Sequence, residues 1–148
     1  MFKNILIPTD GSELSEKVVK DGMTLARALN AKVTSVNVVP ATYIVYYYGE
    51  VGPVPVRPEA ELRAADRERG NKYFDRITAA AKSAGVAFDR VLIENDNPWA
   101  GIIAAARKHS CDLIMMAAHG RRGLSALLLG SETNKVLTHS KIPVLVYR

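Results

Sequence analysis

The chain has 148 residues, 48% of them hydrophobic and 24% charged, with a formal net charge of +5. That length suits one ordinary domain with a core that needs no disulfides, so residues 1–148 are expected to form a single domain, and the composition excludes disordered and fibrous classes. The basic excess is scattered: Arg63, Arg67, Arg69 and Lys72 alternate with Glu61, Asp66 and Glu68, as on a solvated helix face, which argues against nucleic acid as a partner.

Lys3–Thr9 is a short apolar run, β-branched at Ile5 and Ile7 and closed by Asp-Gly-Ser, and predicts a first strand. The run is too short for a secretory leader, no stretch approaches a membrane span, and the lone Cys111 fits a reducing compartment. A cytoplasmic protein with no membrane partner is expected. Ser12 reads as the N-cap of a helix with Leu14, Val18, Leu25, Ala26 and Leu29 on its inner stripe and Asn30 at its stop. Lys32–Val39 predicts a second strand. The next stretch, ATYIVYYYGEVGPVPVRPE, holds four tyrosines, three prolines and two glycines and is too long for an ordinary α/β connection. Its rings around Tyr43, Tyr46, Tyr47 and Tyr48 suit a ligand cover, a partner surface or local packing.

Glu59–Ala84 predicts a long amphipathic helix with Leu62, Arg69 or Gly70, Tyr73, Ile77 and Ala81 on one stripe and Gly85 as its stop. Phe88–Glu94 reads as a third strand, Asn97-Pro98 opens a helix to Ser110, and Asp112–Ala118 reads as a fourth strand. Ser131–Ser140 and Ile142–Tyr147 complete the alternation as a helix and a strand. Such a pattern predicts an α/β fold, a doubly wound, Rossmann-like parallel sheet of five strands with helices on both faces. Ligands bind these sheets beyond the carboxyl ends of the strands, where strand order reverses. Thr9, Asp10, Val38 and the stretch from Ala117 to Gly120 lie at those ends.

The segment HGRRGLSALLLGSETNK places nine residues between Gly120 and Gly130, with Ser131 opening a helix. A glycine turn entering a helix offers unpaired N–H groups and the positive end of the helix dipole to an anion. The Ser131 hydroxyl suits a phosphate oxygen or the capping of its own helix. Glu132 complements the dipole but would repel a triphosphate if turned inward, a charge that Arg121 and Arg122 would offset. His119 has no nucleophile with a carboxylate orienter near it in sequence, and His109 and His139 fall near helix ends. Three scattered histidines make no metal site; a divalent ion would arrive with nucleotide phosphates.

The opening NILIPTDGSELSEK, the block NPWAGIIAAARKHSCDLIMMAAHGRRGLSALLLGS and the terminal KIPVLVYR together resemble the universal stress protein family over the whole chain. The resemblance implies strand order 3-2-1-4-5, with the switch point between the first and fourth strands. ATP-binding members carry Gly, two residues, Gly, nine residues, Gly, then Ser or Thr. Here Gly120, Gly130 and Ser131 match and Ala117 stands at the first glycine, while Gly123 has the wrong spacing to serve instead. A glycine there admits ribose and phosphate oxygens to the main chain; one methyl costs about 1 kcal/mol, roughly tenfold in affinity or less.

Carried onto this sequence, the family's site comprises Pro8, Thr9, Asp10, Val38, Ala117, His119, Gly120, Arg121, Gly130, Ser131 and Glu132. Asp10 would bond ribose or adenine, although Asp-Gly also forms an ordinary turn. The implied function is a stress sensor or regulator that binds ATP, or a related adenine nucleotide, with magnesium or manganese. Nucleotide would order the loop from Gly120 to Gly130; hydrolysis would be slow at most, with no catalytic residue assigned. The resemblance also implies a homodimer through Ile142 to Tyr147. The rival expectation is a dimer working through protein contacts with a lapsed pocket, favoured by Ala117 and Glu132. A carboxylate-activating enzyme is disfavoured because Pro-Thr-Asp-Gly-Ser replaces the Ser-Gly-Gly loop of such enzymes, and a phosphoacceptor receiver because strand one ends in a single carboxylate.

Overall fold

The computed structural model describes residues 1–43, 58–120 and 129–148. Its elements are β1 (Asn4–Pro8), α1 (Glu13–Leu29), β2 (Lys32–Val39), α2 (Glu59–Ala84), β3 (Phe88–Glu94), α3 (Pro98–Lys108), β4 (Leu113–Ala117), α4 (Ser131–His139) and β5 (Val144–Tyr147). All strand pairs are parallel, in the order β3-β2-β1-β4-β5. This is the expected doubly wound sheet, with its order reversing between β1 and β4.

Local chemistry sets the element ends. Ser12 accepts the Ser15 N–H at 3.2 Å and starts α1, while Asn30 and Gly85, both left-handed, stop α1 and α2. Some predicted ends move inward. Asp112 precedes β4 because its carboxylate accepts the Lys3 and Asn4 N–H groups at 2.7 and 3.0 Å, fastening the strand's approach to β1. Ser110, at φ 52°, falls outside α3. Ile142 falls outside β5 because its N–H turns onto the Ser140 hydroxyl at 3.0 Å.

Strand residues alternate between two cores. Ile5, Ile7, Val33, Leu113 and Met115 pack with Val18, Met23, Phe74 and Ile77 under α1 and α2. Leu6, Val36, Ile114 and Met116 pack with Ile102, Ile103 and Val136 under α3 and α4. The inner stripe of α2 differs from the expected one: Gly70, Phe74, Ile77 and Ala81 are buried, and Tyr73 is half-buried at the margin. A step of one residue turns the helix by about 100°, enough to exchange Tyr73 for Phe74.

A polar seam joins β1 to β2. Thr34 donates to Asn4 Oδ1 at 3.0 Å, Ser35 to the Ile7 carbonyl at 2.9 Å, and Asn37 Nδ2 to the Thr9 carbonyl at 2.8 Å. Asn37 thus fixes the carboxyl end of β1 from the neighbouring strand, and Gly70 makes room for it. A Cβ on Gly70 would lie 2.7 Å from Asn37 Oδ1 and 2.9 Å from Leu92 Cδ1. Gly70→Ala, which would gain up to about 1 kcal/mol of helix propensity, is therefore expected to lose about 1–3 kcal/mol to overpacking. Urea unfolding should show a net loss; a raised midpoint would contradict the close packing of α2 on Asn37.

Candidate functional site

The site begins where β1 runs out. Thr9 makes the last rung, its N–H donating to the Val36 carbonyl at 2.9 Å, and its buried hydroxyl accepts the Gly11 N–H at 3.3 Å. Asp10 Oδ1 accepts the Ser12 N–H at 3.0 Å, an Asx turn leading into the α1 cap. Gly11 has φ 71°, and the Tyr73 ring lies where its Cβ would be. The Asp10 turn is thus pinned by the cap of α1 on one side and by α2 on the other.

The end of β4 meets this turn. A Cβ on Gly120 would lie 2.5 Å from Asp10 Oδ2, so the two strand ends come into contact at the switch point. The chain returns alongside. The Gly130 N–H donates to the Ala118 carbonyl at 2.8 Å, the Thr133 hydroxyl donates to the Ala117 carbonyl at 3.0 Å, and a Cβ on Gly130 would lie 3.3 Å from His119 Cα. Asp10, His119, Gly120, Gly130 and Ser131, scattered through 122 positions of sequence, are gathered beyond the carboxyl ends of the central strands β1 and β4.

The strand pleat assigns the remaining residues to faces. Val38 packs with the core under α3 and α4, where its methyl groups face Gly101; Pro8 shares that face by alternation with Leu6. Ala117 packs with the core under α1 and α2 instead, together with Met115 and Tyr147. Its methyl therefore points to the opposite face of the sheet from Val38.

Helix α4 presents its amino end to the carboxyl end of β4. Gly130 is its N-cap and no side chain caps it. Of the two roles open to Ser131, phosphate contact and capping of its own helix, the structure removes the second, since Ser131 is the exposed first helical residue. Among the described residues, the N–H groups of Ser131, Glu132 and Thr133 have no acceptor. They supply the partial positive charge of a helix start. The Glu132 carboxylate reaches away to α3, where Oε2 accepts the Trp99 N–H at 2.9 Å, while Oε1 lies 3.2 Å from Lys135 Nζ. Arg121, Arg122 and Gly123 lie outside the described residues, as do Tyr46, Tyr47 and Tyr48.

A second polar cluster, beside the ends of β2 and β3, has no signal in the sequence because its partners are 54 residues apart. Asp96 accepts the Ala41 and Thr42 N–H groups at 2.9 and 2.8 Å and the Thr42 hydroxyl at 2.8 Å. Arg63 bonds the Ala41 carbonyl, Glu59 and Glu94, and lies 5.1 Å over the Tyr43 ring. Burial and the hydrogen bond donated to Asp66 push the Tyr43 hydroxyl up to about 12. The cluster fastens the chain leaving β2 to the first turns of α2.

His109 and His139 stay apart from the crevice. The His109 carbonyl accepts a hydrogen bond from Asn4 Nδ2 at 2.8 Å, and the His139 ring packs at a tilt against Trp99, centroids 4.7 Å apart. Among the described residues no group of three or more His, Cys, Asp or Glu could hold a metal ion, and no helix is long and apolar enough to cross a membrane. A groove of about 180 Å³ between α1 and α2 touches Thr9 and Gly11 but is walled by Val19, Tyr73 and Ile77, on the face opposite Val38.

The model of the Universal stress protein family matches residues 1–148. A universal stress protein of Methanocaldococcus jannaschii is 30% identical over 149 aligned positions, covering 100% of this chain and 83% of the relative. A solved universal stress family protein from Burkholderia pseudomallei is 25% identical with a TM-score of 0.76, over 98% of this chain and 95% of that one. A universal stress protein in complex with cAMP shares the fold at 20% identity and TM-score 0.71, covering 99% and 97%. An Arabidopsis thaliana family member with AMP bound does so at 14% and 0.68, covering 97% and 90%.

The Asp96 anchor carries a pH signature. Bonds from the Thr42 N–H and hydroxyl hold its carboxyl below the ordinary 3.8, so the stabilisation is present above that value and is lost as pH falls through the lower folded value. Asp96→Ala is expected to be less stable than wild type at pH 7, with the difference shrinking below about pH 4. Urea unfolding of both proteins at pH 7 and pH 3 measures it; an equal deficit at both would assign the loss to packing.

Proposed function

The chain belongs to the universal stress protein family, and from that premise we propose that it binds an adenine nucleotide in the crevice beyond β1 and β4 and acts as a stress sensor or regulator. One observation carries the reading: Asp10 and Gly120 meet at the switch point beside the uncapped start of α4. Solved relatives that hold cAMP and AMP support the same ligand class.

In this reading the Asp10 carboxylate accepts hydrogen bonds from ribose or adenine, and Val38 supplies an apolar wall for the base. Pro8 and Thr9 shape the floor and His119 flanks it. Gly120 lets the Asp10 carboxylate sit against the main chain, and the α4 amides with the Ser131 hydroxyl take a phosphate. Arg121 belongs to the proposed site as a basic flank. Ala117 weakens the cradle less than a methyl aimed at the ligand would, because it packs toward α1. ATP therefore remains a candidate ligand alongside AMP, with any magnesium or manganese carried on its phosphates. Binding is the activity; hydrolysis, if present, is slow.

The whole chain, 1–148, acts as one domain in this proposal, in the cytoplasm, where a single cysteine is at home. A homodimer through the C-terminal strand would cover β5, an edge strand on which Leu145 is 43% exposed.

Calorimetric titration with AMP and with ATP plus magnesium tests the reading. Saturable binding is expected, and Asp10→Ala should weaken it about tenfold or more, the loss typical of a charged hydrogen bond. Ala117→Gly should strengthen it by less than about tenfold. No binding of either nucleotide at millimolar concentration would overturn the proposal in favour of a dimer working through protein contacts.

A further inference from the structure

We infer that Glu132 is a positioning residue for the nucleotide cradle and that Trp99 reports whether the cradle is occupied. The inference rests on the nucleotide reading above and adds a route from that site to α3.

Helix α3 starts without help from its own sequence. Asn97 makes no side-chain cap, Pro98 has no N–H to give, and the first turn contains no acidic residue. The Trp99 N–H is its first exposed donor, and Glu132 Oε2 accepts it at 2.9 Å from the first turn of α4. One carboxylate therefore serves the positive ends of two helices. At its other end α4 holds the same residue again, since the ring of His139, its last residue, packs against the Trp99 indole with centroids 4.7 Å apart and planes tilted by 39°. Trp99 is gripped by both ends of α4.

The first turn of α4 is also tied to β4 through Thr133 and Gly130, so its amides are aimed before any ligand arrives. Such preorganisation raises affinity by removing the cost of ordering the site on binding. A phosphate drawn onto the Ser131 and Thr133 amides displaces or stiffens this turn. Glu132 then passes the change to Trp99, because its backbone belongs to the cradle and its side chain to α3. Turned toward α3 and paired with Lys135, the carboxylate does not oppose the ligand.

Trp99 is the only tryptophan in the chain, so its emission is a direct readout. Titration with AMP should change that emission with the midpoint measured by calorimetry. Glu132→Ala should weaken AMP about fivefold, as loss of a helix cap does, and reduce the emission change. Glu132→Gln, which keeps an acceptor, should stay within about twofold of wild type. If instead both variants bind AMP and ATP more tightly, Glu132 faces the phosphates and the inference fails. Amide exchange in nucleotide-free protein separates the two claims: Glu132→Ala should speed exchange at Trp99, and an unchanged rate overturns the link to α3. Faster exchange in a protein that binds neither nucleotide overturns the nucleotide reading and leaves Glu132 as a helix cap alone.

Discussion

Two carbonyl groups at the end of β4 hold the crevice in shape. The Ala118 carbonyl takes the Gly130 N–H and the Ala117 carbonyl takes the Thr133 hydroxyl. A parallel strand leaves its last carbonyls without a ladder partner, and buried groups of that kind must find donors. Here both donors come from the beginning of α4. The same bonds therefore complete β4, bring the chain back to the point from which it left, and orient the helix that faces the switch point. Because α4 is fixed in this way, Glu132 reaches α3 and His139 reaches Trp99. The relative placement of α3 and α4 follows from how one strand ends.

The strand pleat then decides which side chains belong to the crevice. Period-two alternation sends Val38 toward α3 and Ala117 toward α1, so the departure at 117 changes a packing position under α1 and α2. In one dimension, Ala117 is simply a missing glycine. Its effect depends on which face the residue occupies, and that is a property of strand register.

The elements were legible in the sequence wherever a local interaction ends them. Ser12, Asn30 and Gly85 act within a few residues of themselves, and β2, α2 and β3 run between the residues that the patterning picks out. The strand order came from the family resemblance, and parallel pairing agrees with it. What was not legible depends on distant partners. The inner face of α2 is set by where Asn37 and Gly11 lie, which favours Phe74 for burial and leaves Tyr73 over the Gly11 turn. Glu132 looked like a threat to bound phosphate because its partner, Trp99, lies 33 residues earlier. The Asp96 anchor joins segments that have no common pattern at all.

The glycines give this separation a further consequence. In the sequence, Gly120 and Gly130 argue for close approach of a ligand to the main chain. In the folded chain, protein atoms already require small residues there: the Asp10 carboxylate lies against Gly120, and the His119 backbone lies against Gly130. A glycine motif of this kind is needed to bring two strand ends and a helix start together, whether or not a nucleotide is bound. The weight of the nucleotide assignment therefore falls on the groups that the close packing leaves facing outward, chiefly the α4 amides and the Ser131 hydroxyl. The glycines let the strand ends and the helix start meet, and the proposed anion site rests on those polar groups.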